Sequence, residues 1–180
     1  MTRRKTVLMA VLGATILGVA GIAGFAGNNA ISADDDDQDL EALIKPLGAA
    51  KISLQQGLAA SEQEGRPLSG KFEVDDGKFQ LSVYTSKDGK LSEVLVDYAD
   101  GKVTKTEPIT KADDLAAADS QGAAMAKATT SLKEAVDKAV TQSASSRAVS
   151  AVPSLKDGHP VASIVLLSGD EFKTVQQPLD

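Results

Sequence analysis

The stretch Gly70–Lys102, GKFEVDDGKFQLSVYTSKDGKLSEVLVDYADGK, decides how this chain folds. Apolar residues recur in it at every second position: Phe72 and Val74, then Phe79, Leu81 and Val83, then Val94 and Val96. A period of two sends successive side chains to opposite faces of a strand. Asp76-Gly77, Asp88-Gly89 and Asp100-Gly101 interrupt the alternation. A twisted two-residue hairpin needs positive φ, which Gly adopts without steric cost, so Asp-Gly between alternating runs is a strong hairpin signal. Three such pairs in succession predict an antiparallel meander.

Outward from the meander, the pattern becomes helical. On the N-terminal side, Ile52-Ser53-Leu54-Gln55-Gln56 opens a helix. Ser53 is a cap with Gln56 three residues on, as in a capping box. Leu54, Leu58 and Ser61 share a face, and Gly65-Arg66-Pro67 ends the helix. Earlier still, Leu40, Leu43, Ile44 and Leu47 follow helical spacing up to Pro46-Leu47-Gly48. The acidic run Asp34 to Asp39 before them reads as a solvated, unstructured lead. It lacks the Gly and distal Glu of a calcium loop.

On the C-terminal side, a long helix is expected after Pro108, with Thr110 as cap. Leu115, Ala118, Gly122, Met125, Thr129, Leu132, Val136 and Val140 form one narrow apolar stripe, and Gly122 and Thr129-Thr130-Ser131 are places for it to kink. Strands return with Val149 and Ala151, the turn Lys156-Asp157-Gly158-His159, the alternation from Val161 to Leu167, the turn Ser168-Gly169-Asp170, and a last strand from Phe172 to Gln177.

The chain then reads as a repeat. Ser53-Leu54 falls on Ser131-Leu132 at a shift of 78, and Asp76-Gly77 on Asp157-Gly158 at a shift of 81, with the difference expected in a loop. A single unit of about 55 residues would bury only around 60% of its unfolded surface, which is marginal. Two units joined edge to edge or packed together would share a core and remove an exposed edge. The expected architecture is α+β: two helix-plus-antiparallel-meander units, with helices packed on one face of the sheet.

The first residues carry a different message. Arg3, Arg4 and Lys5 precede an uncharged apolar run from Val7 to Phe25 and small residues up to Ala33. These are the parts of a secretory signal. Ala26, Ala30 and Ala33 are candidate cleavage points, with Ala33 preferred. The run is also long enough to remain as an anchor, but Gly13, Gly18, Gly21 and Gly24 lower its hydrophobicity and favour cleavage. Thr2-Arg3-Arg4 hints at a twin-arginine signal, though Thr6 and Val7 stand where larger apolar residues belong. The division is residues 1–33 as signal or anchor, 34–50 as acidic lead and short helix, 51–109 as first unit, and 110–180 as long helix and second unit. The expected location is periplasmic or secreted, or anchored to the inner membrane if the segment stays.

Composition narrows the functional classes. The net charge is −6, and residues 1–33 hold three of the 19 basic residues and none of the 25 acidic ones, so the mature chain stands at −9. Such a surface repels phosphate backbones and anionic headgroups. Aromatics are 3% of the chain and Trp is absent, which argues against a base-stacking platform. There is no Cys, hence no disulfide and no thiolate chemistry. His159 is the single His and sits in a turn, without the nucleophile and orienting group that a catalytic base needs. No Gly-x-Ser-x-Gly elbow, Walker loop or spaced zinc ligand set occurs. No catalytic residue, metal or cofactor is expected.

At Ile52-Ser53-Leu54, Gly70-Lys71-Phe72-Glu73-Val74, Asp88-Gly89-Lys90, Glu93-Val94, Val96-Asp97 and Asp100-Gly101-Lys102-Val103 the chain resembles the PepSY domain family. The resemblance covers residues 51 to about 107 and departs from the family at Gly57, where Ala is common. The second unit resembles a degenerate copy, with Gln176-Gln177 in place of the Val-Asp strand end. The likeness implies a non-catalytic protein that binds or regulates an extracytoplasmic peptidase or another envelope protein. Strand addition to the sheet is one way to bind such a partner. The polar or amphipathic strand positions Glu73, Tyr84, Glu93, Asp97 and Tyr98 are the candidate partner-binding residues. The alternative is a cation or small-ligand sensor built on the acidic hairpin ends, Asp75 with Asp76 and Asp97 with Asp100.

Overall fold

The computed structural model describes residues 33–180, with side chains from Leu40 onward. The signal or anchor segment therefore lies outside the described residues. In chain order the elements are α1 (Ala33–Leu47), α2 (Leu54–Ser61), β1 (Arg66–Asp75), β2 (Lys78–Lys87), β3 (Lys90–Val96), β4 (Val103–Pro108), α3 (Ala112–Lys127), α4 (Leu132–Gln142), β5 (Arg147–Lys156), β6 (His159–Ser168) and β7 (Glu171–Pro178). The strands form one antiparallel sheet in the order β4-β3-β2-β1-β5-β6-β7. This is an α+β fold, as the patterning predicted. Among the described residues no helix is long and apolar enough to cross a membrane.

The hairpins form where the Asp-Gly pairs stand. Asp76, Asp88 and Asp157 take φ of 48°, 52° and 52°, and the glycine after each is also positive. Two consecutive left-handed residues give the turn twist that matches the flanking strands. Gly101 is left-handed as well, and the loop it closes leads into β4.

The two meanders, β1–β4 and β5–β7, share one pairing register. Adding 81 to every partner in the β1–β2 ladder, from Arg66↔Ser86 to Asp75↔Lys78, gives the β5–β6 ladder from Arg147↔Leu167 to Lys156↔His159. The irregularity at Leu68 recurs at Val149. The β2–β3 pairing maps in the same way onto β6–β7, with Leu81↔Val96 becoming Ala162↔Gln177. Before the strands the offset is 78. Leu54, Gly57, Leu58 and Ser61 are buried on α2, and Leu132, Ala135, Val136 and Ala139 on α4. Lys51 and Ile52 donate their N–H groups to the Tyr98 carbonyl, and Thr129 and Thr130 donate theirs to Leu179. The change from 78 to 81 lies in the helix and not in a loop: α2 has 8 residues and α4 has 11, each followed by four residues before its strand.

Both helices open with a full capping box, Ser53 with Gln56 and Ser131 with Glu134. The second box has a structural consequence. The long helix expected after Pro108 is two helices, because Thr129 and Thr130 turn their N–H groups to Leu179 at 2.7 and 2.9 Å and Ser131 starts a new helix. The acidic run before Leu40, expected as an unstructured lead, lies within α1.

The expectation that all helices pack on one face is also corrected. A Cβ on Gly70 would stand 3.0 Å from Leu58 and 3.3 Å from Leu54, so Gly70 faces α2. The neighbouring Ser69 donates its hydroxyl to Gln121 of α3 at 2.7 Å. Successive strand residues point to opposite faces, so α3 crosses the face opposite α2. The apolar stripe read as continuous thus serves two helices. The core is aliphatic, with Leu81, Val83 and Ile164 fully buried, and among the described residues Phe72 is its one fully buried large ring.

The halves join through a short ladder, Gly70↔Ala151 and Lys71↔Ser150. Two arginines at equivalent positions reinforce the joint reciprocally. Arg66, opening β1, donates to the Met125 carbonyl of α3 at 2.7 Å. Arg147, opening β5, donates to the Leu47 carbonyl at the end of α1 at 2.7 Å and to Ile52 at 3.3 Å. Each half therefore holds the C-terminal end of the other half's leading helix, where carbonyl groups lack helical partners.

Candidate functional site

The candidate site follows from the pleat of the first meander. Val83 and Val94 pair on the α2 face, so their neighbours Tyr84 and Glu93, also paired, lie on the other one. Glu73 of β1 lies there too, opposite Gln80. α3 covers part of this face, and the rest is an open cavity of about 360 Å³ running from β1 across to β4. Glu73, Tyr84, Glu93, Asp114 and, toward the sheet edge, Lys105 and Glu107 are among its lining residues.

The polar contacts at the floor are specific. Ser82, fully buried, donates its hydroxyl to Glu93 at 2.6 Å. Glu73 accepts from Gln80 at 3.1 Å and pairs with Lys71 at 2.5 Å, both ends of that pair being mostly buried. Tyr84 is 7% exposed, and the Asp114 carboxylate of α3 acts on it electrostatically. At the rim, Lys105 pairs with Glu107 at 2.6 Å.

Burial and neighbouring charge shift two of these groups. Burial raises the Tyr84 phenol well above its ordinary range, and the charges of Asp114, Glu93 and Glu73 push it further, so it stays protonated. Burial also raises the Glu93 carboxyl; the hydrogen bond from Ser82 offsets part of the effect, and the Glu73 charge adds to it. Both directions fit a partly desolvated surface with net negative potential. It suits a positively charged, hydrogen-bonding group.

Three of the five candidate residues therefore converge: Glu73, Tyr84 and Glu93. Asp97 and Tyr98 do not. Asp97 closes the turn before β4, accepting the N–H groups of Ala99 at 2.7 Å and Asp100 at 3.1 Å. Tyr98 packs its ring on Phe79 with centroids 4.9 Å apart, while its carbonyl accepts the N–H groups of Lys51 and Ile52 just before α2.

Lys71 and Ser82 extend the site, and the period of two that identified Glu73 and Tyr84 also points to them. Asp114 was not foreseeable, because it arrives on a helix expected on the opposite face. His159 is exposed and lies 2.7 Å from Asp180, which it holds below the usual carboxylate range. Asp100 is engaged by Lys102 at 2.6 Å. Among the described residues no group of three or more His, Cys, Asp or Glu side chains is arranged to hold a metal ion.

Comparison with known proteins finds no matching family model, no matching curated protein and no matching solved structure. The PepSY likeness stands on the residues quoted for it.

Proposed function

We infer that this chain is an exported, non-catalytic binding protein made of two tandem PepSY-like units, and that it binds or regulates an extracytoplasmic peptidase or another envelope protein. The observation that carries the binding reading is the polar cavity on the first meander beside β4, a strand with a neighbour on one side only among the described residues. An unpaired strand edge offers backbone donors and acceptors to an extended segment, and the adjoining face offers side-chain selectivity. The common register at an offset of 81, the paired capping boxes and the reciprocal arginines support the tandem reading. Export rests on the charge and hydropathy pattern of residues 1–33.

The test has two parts. The N-terminal mass of protein recovered from the exporting host is expected to start at Asp34; recovery from the cytosol with Met1 intact would overturn export. Photo-crosslinking in the living envelope from Thr106 on β4 is expected to trap a defined peptidase or envelope protein. The same probe at exposed Lys156 on β5 is the control. Equal, diffuse labelling from both positions would remove the binding reading.

A further inference from the structure

We propose that the first meander, and not the second, accepts an extended peptide along the outer edge of β4, with a lysine or arginine beside Glu107 directed over it toward Glu93. This inference rests on the binding role above and adds the edge, the face and the ligand chemistry.

Among the described residues the sheet has two edge strands without an outer neighbour, β4 and β7. They differ in the face beside them. Along β4 the pairs Glu93↔Glu107 and Leu95↔Lys105 lie on the cavity face, so a strand added outside β4 would place every second side chain next to Glu107 and Lys105. Neighbouring strands are about 4.8 Å apart. A long basic side chain on the added strand therefore reaches across β4 toward Glu93. Six carboxylates and four lysines line the cavity, and Lys71 and Lys105 are already engaged with Glu73 and Glu107. The excess is negative and a cation completes it.

The same analysis gives β7 no such face. Tyr84, Glu93, Glu73 and Lys71 correspond at an offset of 81 to Val165, Thr174, Ser154 and Val152. Val165 is buried at 4% exposure. The equivalent positions hold an uncharged surface on an equivalent backbone, so the sheet does not need the half-buried carboxylates of the first meander for its pairing. Charged groups in such positions carry a desolvation cost, which a cationic ligand offsets.

The experiment uses the mature chain, labelled for amide NMR, and end-blocked peptides of the form Thr-Val-Lys-Val-Lys-Val-Thr. Parallel peptides replace both lysines with Gln or with Glu. The lysine peptide is expected to shift β4 and β3 amides and to bind about tenfold more tightly than the Gln peptide, a difference of about 1.4 kcal/mol. Glu93→Gln and, at the rim, Glu107→Gln are each expected to remove most of that preference. Raising salt from roughly 0.05 to 0.5 M should weaken it. Methylating one alternate set of peptide nitrogens should abolish binding while the other set leaves it intact, because an added strand pairs through one edge only. If none of the peptides perturbs any sheet amide, the peptide-binding reading falls and this inference with it. Should they bind without discriminating Lys from Gln, or perturb β7 instead, or tolerate methylation of both sets, only this inference falls.

Discussion

Tyr84 pairs with Glu93 in the first meander where Val165 pairs with Thr174 in the second, on ladders whose registers coincide residue for residue. On the opposite face the contrast is one of volume. Gly57 of α2 faces Leu81, and a Cβ at Gly57 would stand 2.1 Å from a Leu81 methyl; the equivalent positions are Ala135 and Ala162. One half divides the space as nothing plus leucine, the other as two alanines. The backbone thus tolerates two solutions to its core and two kinds of outer face, provided each is internally matched. Stability belongs to the shared frame, and the recognition proposed above to what differs.

That division is most sharply tested where volume is exchanged. Leu81→Ala should cost about 3 kcal/mol, as large-to-small changes in full cores do. Gly57→Ala alone gains helix propensity but drives its methyl into a fully buried Leu81, for a net loss of about 1 kcal/mol. The double variant copies the second half's pair and should lose at least 1 kcal/mol less than the two single losses together. Urea denaturation of all four proteins reads this coupling. Additive losses would mean that the halves do not share a packing scheme.

The reciprocal arginines come next. Arg147 donates to two carbonyls and lies 5.5 Å from the centre of the Phe72 ring, whereas Arg66 donates to one carbonyl. Arg147→Met should cost about 2–3 kcal/mol and Arg66→Met about 1–2 kcal/mol, because each removes a charged donor from a helix-end carbonyl that keeps one backbone partner, and the former also loses a second carbonyl contact and a cation–ring contact. Equal losses would break the asymmetry while leaving the clasp intact. The caps provide a smaller, symmetric reference: Ser53→Ala and Ser131→Ala should each cost about 1 kcal/mol.

The same contrast explains what was legible in the sequence. Asp76-Gly77 and Asp157-Gly158 announced their hairpins because a turn is a local event, and the spacing between them fixed the equivalence of the strands. The Ser53 box was legible for the same reason. The break between α3 and α4 was not, because an apolar period of threes and fours passes straight through Thr129-Thr130. What stops the helix is the carbonyl of Leu179, fifty residues away from Thr129 in the chain. Among the site residues, Glu73, Tyr84 and Glu93 share a face by alternation alone. Asp114 joins them only because α3 crosses to that face, a consequence of where Ser69 and Gln121 meet. Asp97 and Tyr98 lie apart from them, which local pattern could not tell, because a polar or aromatic residue at a strand end reads the same whether it closes a turn or faces the cavity.

The smallest expected effect has the opposite sign and separates a frame residue from a recognition residue. Glu93 is held above its ordinary carboxyl value chiefly by burial, with the Glu73 charge adding to it. A carboxyl raised in the folded state favours folding fully below its unfolded value, and that advantage is lost as pH rises through the folded value. The native chain should therefore lose stability across the window just above the ordinary glutamate range. Glu93→Gln keeps an oxygen for the Ser82 hydroxyl and has no charge to desolvate. Its melting temperature should match the native protein's below that window and exceed it by on the order of 2 °C above it. Thr174→Val, at the equivalent place in the second meander, introduces no titrating group and should show no pH-dependent difference. A native Glu93 that stabilised the fold at neutral pH would make it part of the frame, and the functional distinction between the two meanders would lose its strongest residue.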